Sequence, residues 1–221
     1  MTMRPIVSRR GVLAATLGSF VTSLLGRRRA SAAPAELTLP GNPPAARSDF
    51  ATSGIDRWRV IDGQWAVEDM NDAPSGKRVL VQRAVKNDYN VIVAPSGPYT
   101  DVDVSVKFTP ISGREDASGG IVFRFSDGRY YVLRANELED NFRLYTYDKG
   151  RRQIATARVK PRGLGQWHTI RAVVVGTQIQ GWLNGRLLID QHDTRFRAGR
   201  VGLWTKADSV TAFDDLTIRG A

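Results

Sequence analysis

Apolar residues fall on every second position along most of this chain beyond Asp49. Val102, Val104, Val106 and Phe108 alternate with Asp101, Asp103, Ser105 and Lys107, and Ile121, Phe123 and Phe125 alternate with Val122 and Arg124. The same period runs through Phe142 and Leu144, through Ile179, Gly181 and Leu183, and through Val201 and Leu203. A two-residue period puts alternate side chains on opposite faces of an extended backbone, so these runs predict strands with one buried face. Between them stand Asp62-Gly63, Ser126-Asp127-Gly128, Asp148-Lys149-Gly150, Asn184-Gly185 and Ala198-Gly199, the residue types that hairpin turns require. Beyond the N-terminal stretch, no segment keeps an apolar stripe at helical spacing for three turns. Many short strands joined by hairpins predict an antiparallel sandwich or barrel.

One run breaks the rule. In "TAFDDLTI" the apolar residues Phe213, Leu216 and Ile218 do not share a parity, which predicts a bulge at Asp214-Asp215. The paired carboxylates have two readings: a solvated acidic bulge, or hard oxygen ligands for a structural calcium ion. No other cofactor is called for.

The chain opens differently. Residues 1–32 carry Arg4, Arg9 and Arg10, then an apolar run from Gly11 to Leu25, then small residues ahead of Ala33. That is the layout of an export signal, and the run is too short and too rich in Gly, Ser and Thr to span a bilayer well. Ser8-Arg9-Arg10-Gly11-Val12-Leu13 matches the twin-arginine variant, whose partner is the twin-arginine export machinery. The expected destination is periplasmic or secreted, with no stable membrane span after processing. Residues 33–47 are rich in Pro and Ala without periodicity and read as a linker, leaving 48–221 as the folded domain.

The leader changes the charge argument. The formal net charge is +10, yet six of the 32 basic residues and none of the 22 acidic ones precede Ala33. The remainder has a mild basic surplus of four, which is no nucleic-acid footprint. The absence of cysteine excludes disulfides, thiol catalysis and thiolate metal sites.

Several stretches carry a resemblance: "RWRVIDGQWAV", "SGREDASGGIVFRF", "YYVLRANELEDNFRLY", "LGQWHTIRAVVVG", "WLNGRLL" and "GRVGLWTKADSVTAFDDL". They are similar to the concanavalin A-like lectin/glucanase superfamily, and more narrowly they resemble its laminin G-like branch of 3-keto-disaccharide hydrolase domains. The resemblance spans about residues 48–219. It implies an all-β fold, an antiparallel two-sheet jelly-roll sandwich with a curved sugar-facing sheet. It implies no particular activity, because one fold hosts many functions.

Two chemistries compete for the polar residues. Glycosidases need two carboxyl groups around the scissile bond, and Glu137 and Glu139 share a side if "ELEDN" is extended. The laminarinase-type members of the superfamily carry Glu-x-Asp-x-x-Glu, however, and Glu137, Glu139 and Phe142 occupy those offsets here. The third acid is missing. His168 and His192 are not spaced as a metal pair and read as structural. The binding alternative has more residues behind it. If Phe123, Leu133, Leu144, Leu183 and Leu203 face inward, alternation sends Arg124, Arg134, Arg143, Tyr145, Trp182 and Trp204 outward. Aromatic rings beside directional donors are what a carbohydrate ligand requires. "RANELEDN" then forms a hairpin tip where Arg134, Asn136, Glu139 and Asn141 build a polar network, met by Lys206 and Asp208 from "TKADS". The expected function is an exported carbohydrate-binding domain; the alternative is a glycoside hydrolase or keto-glycoside lyase using the acidic loop 137–140.

Overall fold

In the computed structural model the described residues are 34–221, apart from 53, 87 and 161. The export signal expected over residues 1–32 lies outside them. Strands β1 (Ala45–Ser48), β2 (Arg59–Asp62), β3 (Trp65–Asp69), β4 (Arg78–Gln82) and β5 (Tyr89–Val93) precede the long β6 (Val102–Ser112). Next come β7 (Ser118–Ser126), β8 (Arg129–Asn136), β9 (Asn141–Tyr147) and β10 (Arg151–Arg158). Then follow β11 (His168–Val175), β12 (Gln178–Leu183), β13 (Arg186–His192), β14 (Arg200–Lys206) and β15 (Val210–Gly220).

The strands divide between two antiparallel sheets. The first is ordered β13-β12-β11-β6-β15-β4-β3, with β1 beside β15; the second is ordered β10-β9-β8-β7-β14-β5-β2. The expected all-β, two-sheet sandwich is what the chain forms. Among the described residues, no helix is long and apolar enough to cross a membrane.

The alternating residues fill the gap between the sheets. Val102, Val104, Val106 and Phe108 of the first sheet meet Ile121, Phe123, Leu133, Phe142, Leu144 and Leu203 of the second, all buried. Gly181 belongs to this layer because a Cβ there would stand 2.9 Å from Leu133 and 3.2 Å from Phe142. Full burial of one such Leu or Phe side chain contributes about 1.5–3 kcal/mol.

Two irregularities redirect side chains. The β15–β6 register slips between Asp214 and Thr217, and Asp215 has φ 50°, so Leu216 and Ile218 stay buried despite their changed parity. The bulge expected from "TAFDDLTI" is there. Its carboxylates are already engaged, however. Asp214 accepts the Ser75 N–H at 2.7 Å and hydroxyl at 2.8 Å, while Asp215 meets the Lys107 ammonium at 2.6 Å. The two groups face different partners, one of them a cation. At Arg124, φ is 52° and the β7–β8 register slips between Phe123 and Ser126. This bulge turns Phe125, expected in the core, onto the outer face of the second sheet.

The segment expected as a linker is not a free tether. Ala45–Ser48 pairs with β15. Upstream, the Gln180 amide accepts the Leu37 N–H and donates to the Ala35 carbonyl, each at 2.8 Å. Glu36 pairs with Arg171 at 2.6 Å. Pro and Ala carry no periodic signal, but one side-chain amide satisfies their main-chain groups as a neighbouring strand would.

Candidate functional site: the hairpin rim of the second sheet

The β8–β9 hairpin builds the site. Register sets Asn136 opposite Asn141 and Arg134 opposite Arg143 on the outer face. At the tip the Asn136 side-chain oxygen accepts the N–H of Leu138 at 2.8 Å and of Glu139 at 3.3 Å. This Asx turn is a local alternative to the ladder that Asn favours, and Asp140 closes it with φ 50°. The turn delivers the Glu139 carboxylate back over the sheet. Its Oε2 accepts from Arg134 Nη2 at 2.7 Å, Asn141 Nδ2 at 2.9 Å and Arg143 Nη1 at 3.2 Å. The Tyr145 hydroxyl bridges the same two guanidinium groups, at 3.3 and 3.1 Å.

Burial by itself would raise the Glu139 carboxyl, but the bonds from Arg134 and Asn141 and the two guanidinium charges outweigh it and bring the group down to about 2. Glu139 is therefore an ionised acceptor at neutral pH. A general acid needs the opposite tuning.

Arg134 is 1% exposed, and its Nε and Nη1 have no hydrogen-bond partner in the protein. Asp116, from the loop joining β6 to β7, is within electrostatic reach of this guanidinium. Asp116 is buried; its Oδ1 accepts the Ser209 hydroxyl at 3.0 Å, while Oδ2 faces Lys206 Nζ at 3.6 Å without a hydrogen bond. Asp208, in the turn after β14, accepts the backbone N–H groups of Arg114, Glu115 and Asp116 at 2.7–3.1 Å. Asp208 thus positions Asp116 through the main chain. Burial opposes ionisation of Asp208, and those N–H donors override it and lower its carboxyl.

Trp204 completes the row. A Cβ on Gly120 would stand 3.0 Å from Arg134 Cβ and 3.4 Å from Trp204 Cε3, so the two large side chains close over a residue with none. The indole is 1% exposed because Tyr89 stacks on it, with centroids 5.5 Å apart and planes 24° apart. Tyr89 meets Tyr147 edge-on at 5.4 Å, Tyr147 stacks on Tyr130 at 5.0 Å, and Arg151 lies 4.6 Å above Tyr145. Val91, Val93, Val122 and Val132 form the apolar floor.

Residues 46–219 match the family described as 3-keto-alpha-glucoside-1,2-lyase-like domains. The chain belongs to that family. A levanase from Bacillus subtilis is 21% identical over 171 residues, which is 75% of this chain and 23% of the levanase; the chain spans about a quarter of that relative's length. In fold, this 3-keto-alpha-glucoside-1,2-lyase-like domain is similar to the carbohydrate binding module CBM66 from Bacillus subtilis. The TM-score is 0.64 at 20% identity, covering 74% of this chain and 96% of the module. A protein of unknown function with a galectin-like fold, also from Bacillus subtilis, gives a TM-score of 0.62 at 12% identity, covering 81% and 97%.

Within this lyase-like domain the rim gathers Arg134, Asn136, Glu139, Asn141, Arg143, Tyr145, Trp204, Lys206 and Asp208. Three of the expected residues lie away from it. Arg124 does not reach the rim: its bulge aims the guanidinium at the carbonyls of Thr100, Gly176 and Phe196, at 2.6–2.8 Å. Trp182 lies on the outer face of the first sheet, beneath Arg171 at 4.9 Å, so it cannot share a ligand with Trp204. Glu137 diverges from Glu139. The tip is a turn, not an extended strand, and Glu137 points to the end of the sandwich. There its Oε1 lies 2.8 Å from His168 Nε2, off the line of a hydrogen bond, and its Oε2 accepts the Gly163 N–H at 2.7 Å. His168 in turn stacks on Phe108 in the core at 5.3 Å. The two carboxylates do not face one space.

Asp116, Tyr89, Tyr147 and Arg151 have no place in the sequence-based site. Asp116 sits in an aperiodic loop that gives no signal. Tyr89 does have one: it opens "YNVIV", which carries apolar residues on both parities, the mark of a sheet covered on both faces.

Proposed function

We propose that this chain binds carbohydrate at the hairpin rim of its second sheet. Arg134 carries the reading: a sealed guanidinium, held on one side by an ionised Glu139, keeps two nitrogens without hydrogen-bond partners, and the Asp116 carboxylate whose charge acts on it has one oxygen without a hydrogen bond. Buried polar groups are almost always paired, and hydroxyls placed between a donor fork and a carboxylate would pair both kinds. Cationic donors, ionised acceptors and amides at one rim match a polyol, which is donor and acceptor at every position. The similarity in fold to a carbohydrate binding module supports the same class of ligand.

Lyase chemistry, which the family description names, is the second reading. In this chain it would have to run without a Glu137/Glu139 pair, and Glu139 is tuned as an acceptor. Binding needs neither. The test is a glycan array and calorimetry with Arg143→Ala, which removes a partly exposed donor from Glu139 and Tyr145. Loss of retention by tenfold or more with nearly unchanged thermal stability supports the proposal. Full retention, or product release from keto-glycosides by the unaltered chain, overturns it.

Export belongs to the same reading, since a binding domain carried out by a twin-arginine leader would meet glycans outside the cytoplasm. Replacing both Arg9 and Arg10 with Lys is expected to hold the full chain inside the cell. Unchanged appearance in the exported fraction refutes that route.

A further inference from the structure

The carbohydrate reading leaves a physical problem. Trp204 lies on an outward face, yet it is sealed, and polar atoms of Arg134, across Gly120 from it, are sealed without hydrogen-bond partners. We infer that Tyr89 is a self-occupant of the sugar site, resting on Trp204 where a ligand's ring lies, and that ligand binds by displacing it. This inference rests on the carbohydrate reading and adds the subsite and its gate.

The contact has the right shape. A sugar binds an indole by laying one apolar face on the ring, near parallel, and Tyr89 does so at 24°. Among the described residues, no hydrogen bond fastens the Tyr89 hydroxyl. The side chain is held by two rings and a cation: Trp204 beneath, Tyr147 at the edge at 5.4 Å, and the Arg151 guanidinium 5.8 Å away. Tyr89 is also the first residue of β5 and is half-buried. Turning its side chain toward solvent therefore breaks no ladder pairing beyond the strand end.

Trp204, beneath the ring, belongs to a continuous row. Across the sheet the order is Val91, Trp204, Gly120 and Arg134. Gly120 leaves a gap in the middle of that row, bounded by the indole and the Arg134 stem. A ring seated on Trp204 would thus set its edge toward Arg134, whose Nε and Nη1 await acceptors. Asp116, whose charge acts on Arg134, and Asn136 also keep buried polar atoms without hydrogen bonds. The ligand class is a sugar ring with one apolar face and adjacent hydroxyls on one edge.

The experiment compares the unaltered chain with Tyr89→Ala, Tyr89→Phe and Trp204→Phe. Acrylamide quenching is read first, with the Trp204 signal taken as the difference between each chain and its Trp204→Phe counterpart. Tyr89→Ala should expose Trp204, whereas Tyr89→Phe should keep it protected. Calorimetry with fructose- and glucose-containing oligosaccharides should then show Tyr89→Ala binding about two- to tenfold more tightly, since ligand no longer competes with an aromatic contact. In the unaltered chain the same sugars should change the Trp204 emission, and Trp204→Phe should abolish that change, a readout independent of whether Tyr89→Ala folds. Weaker binding by Tyr89→Ala would make Tyr89 a platform and overturn the inference. Binding that leaves Trp204 silent overturns the gate and spares the carbohydrate reading. Binding by none of the chains overturns both.

Discussion

Arg134 and Glu139 are joined at 2.7 Å across the hairpin tip, yet they share the burial unequally: the arginine side chain is 1% exposed and the glutamate 38%. The pair is a sealed cation with a half-open counterion. Its energetic weight falls on the buried member, because a charge out of water depends on its partner while an exposed one falls back on solvent. Glu139 thereby becomes the accessible end of a network that reaches inward to the sealed Arg134 guanidinium.

The first prediction concerns acid. The folded-state carboxyl of Glu139 lies at about 2 against an ordinary 4.5. A depressed carboxyl stabilises the folded chain above about pH 4.5, and that contribution is lost as pH falls toward 2. Glu139→Gln cannot lose it. Urea unfolding of both chains between pH 6 and pH 2.5 should show the unaltered chain falling more steeply below pH 4.5, so that the two curves converge. Other carboxylates titrate in both chains and cancel in the comparison. Parallel curves would mean that Glu139 is not held by the guanidinium groups in solution.

The second concerns Gly120. Its φ does not require glycine, so the argument is space: a Cβ would meet the Leu133 carbonyl oxygen at 2.9 Å and Arg134 Cβ at 3.0 Å, with Trp204 at 3.4 Å. The nearest atom belongs to a backbone in the middle of a sheet and cannot step aside. Gly120→Ala should therefore destabilise the chain by about 1–3 kcal/mol and loosen Trp204, read as increased acrylamide quenching of its emission. A chain as stable as the unaltered one, with Trp204 still protected, would show that the row is open enough to take a methyl group.

These relationships differ in how far the sequence announces them. Alternation alone places Val104, Ile121, Leu133 and Leu203 in the core, and the parity break in "TAFDDLTI" marks the bulge at Asp214-Asp215. The hairpin tip at "RANELEDN" follows from turn residues lying directly after strands. Sheet membership does not follow, because parity says only which side of a strand a residue takes. Trp182 and Trp204 both face outward, on opposite sides of the molecule. Arg124 is misplaced for a related reason: one bulge inverts the parity of everything near it, and "VFRFS" contains no proline or glycine to announce the bulge. Asp116 is silent in the sequence because its position depends on a carboxylate 92 residues away, Asp208, gathering three backbone N–H groups.

The third prediction separates the two tryptophans. Trp182 is 7% exposed, packed under Arg171 on the first sheet near the Gln180 side chain that binds Ala35 and Leu37. Its area is buried against its own chain, so Trp182→Ala should cost about 2–4 kcal/mol of stability and leave glycan affinity within twofold when measured well below the unfolding midpoint. Trp204→Ala removes the base of the proposed subsite and should abolish binding, while also losing the contacts of Tyr89 and the valine floor. The decisive comparison is affinity at matched fractions folded, using urea or temperature to bring the chains to equal stability. If Trp182→Ala weakens binding as much as Trp204→Ala under those conditions, the ligand contacts the first sheet, and the hairpin rim is not where this domain recognises its sugar.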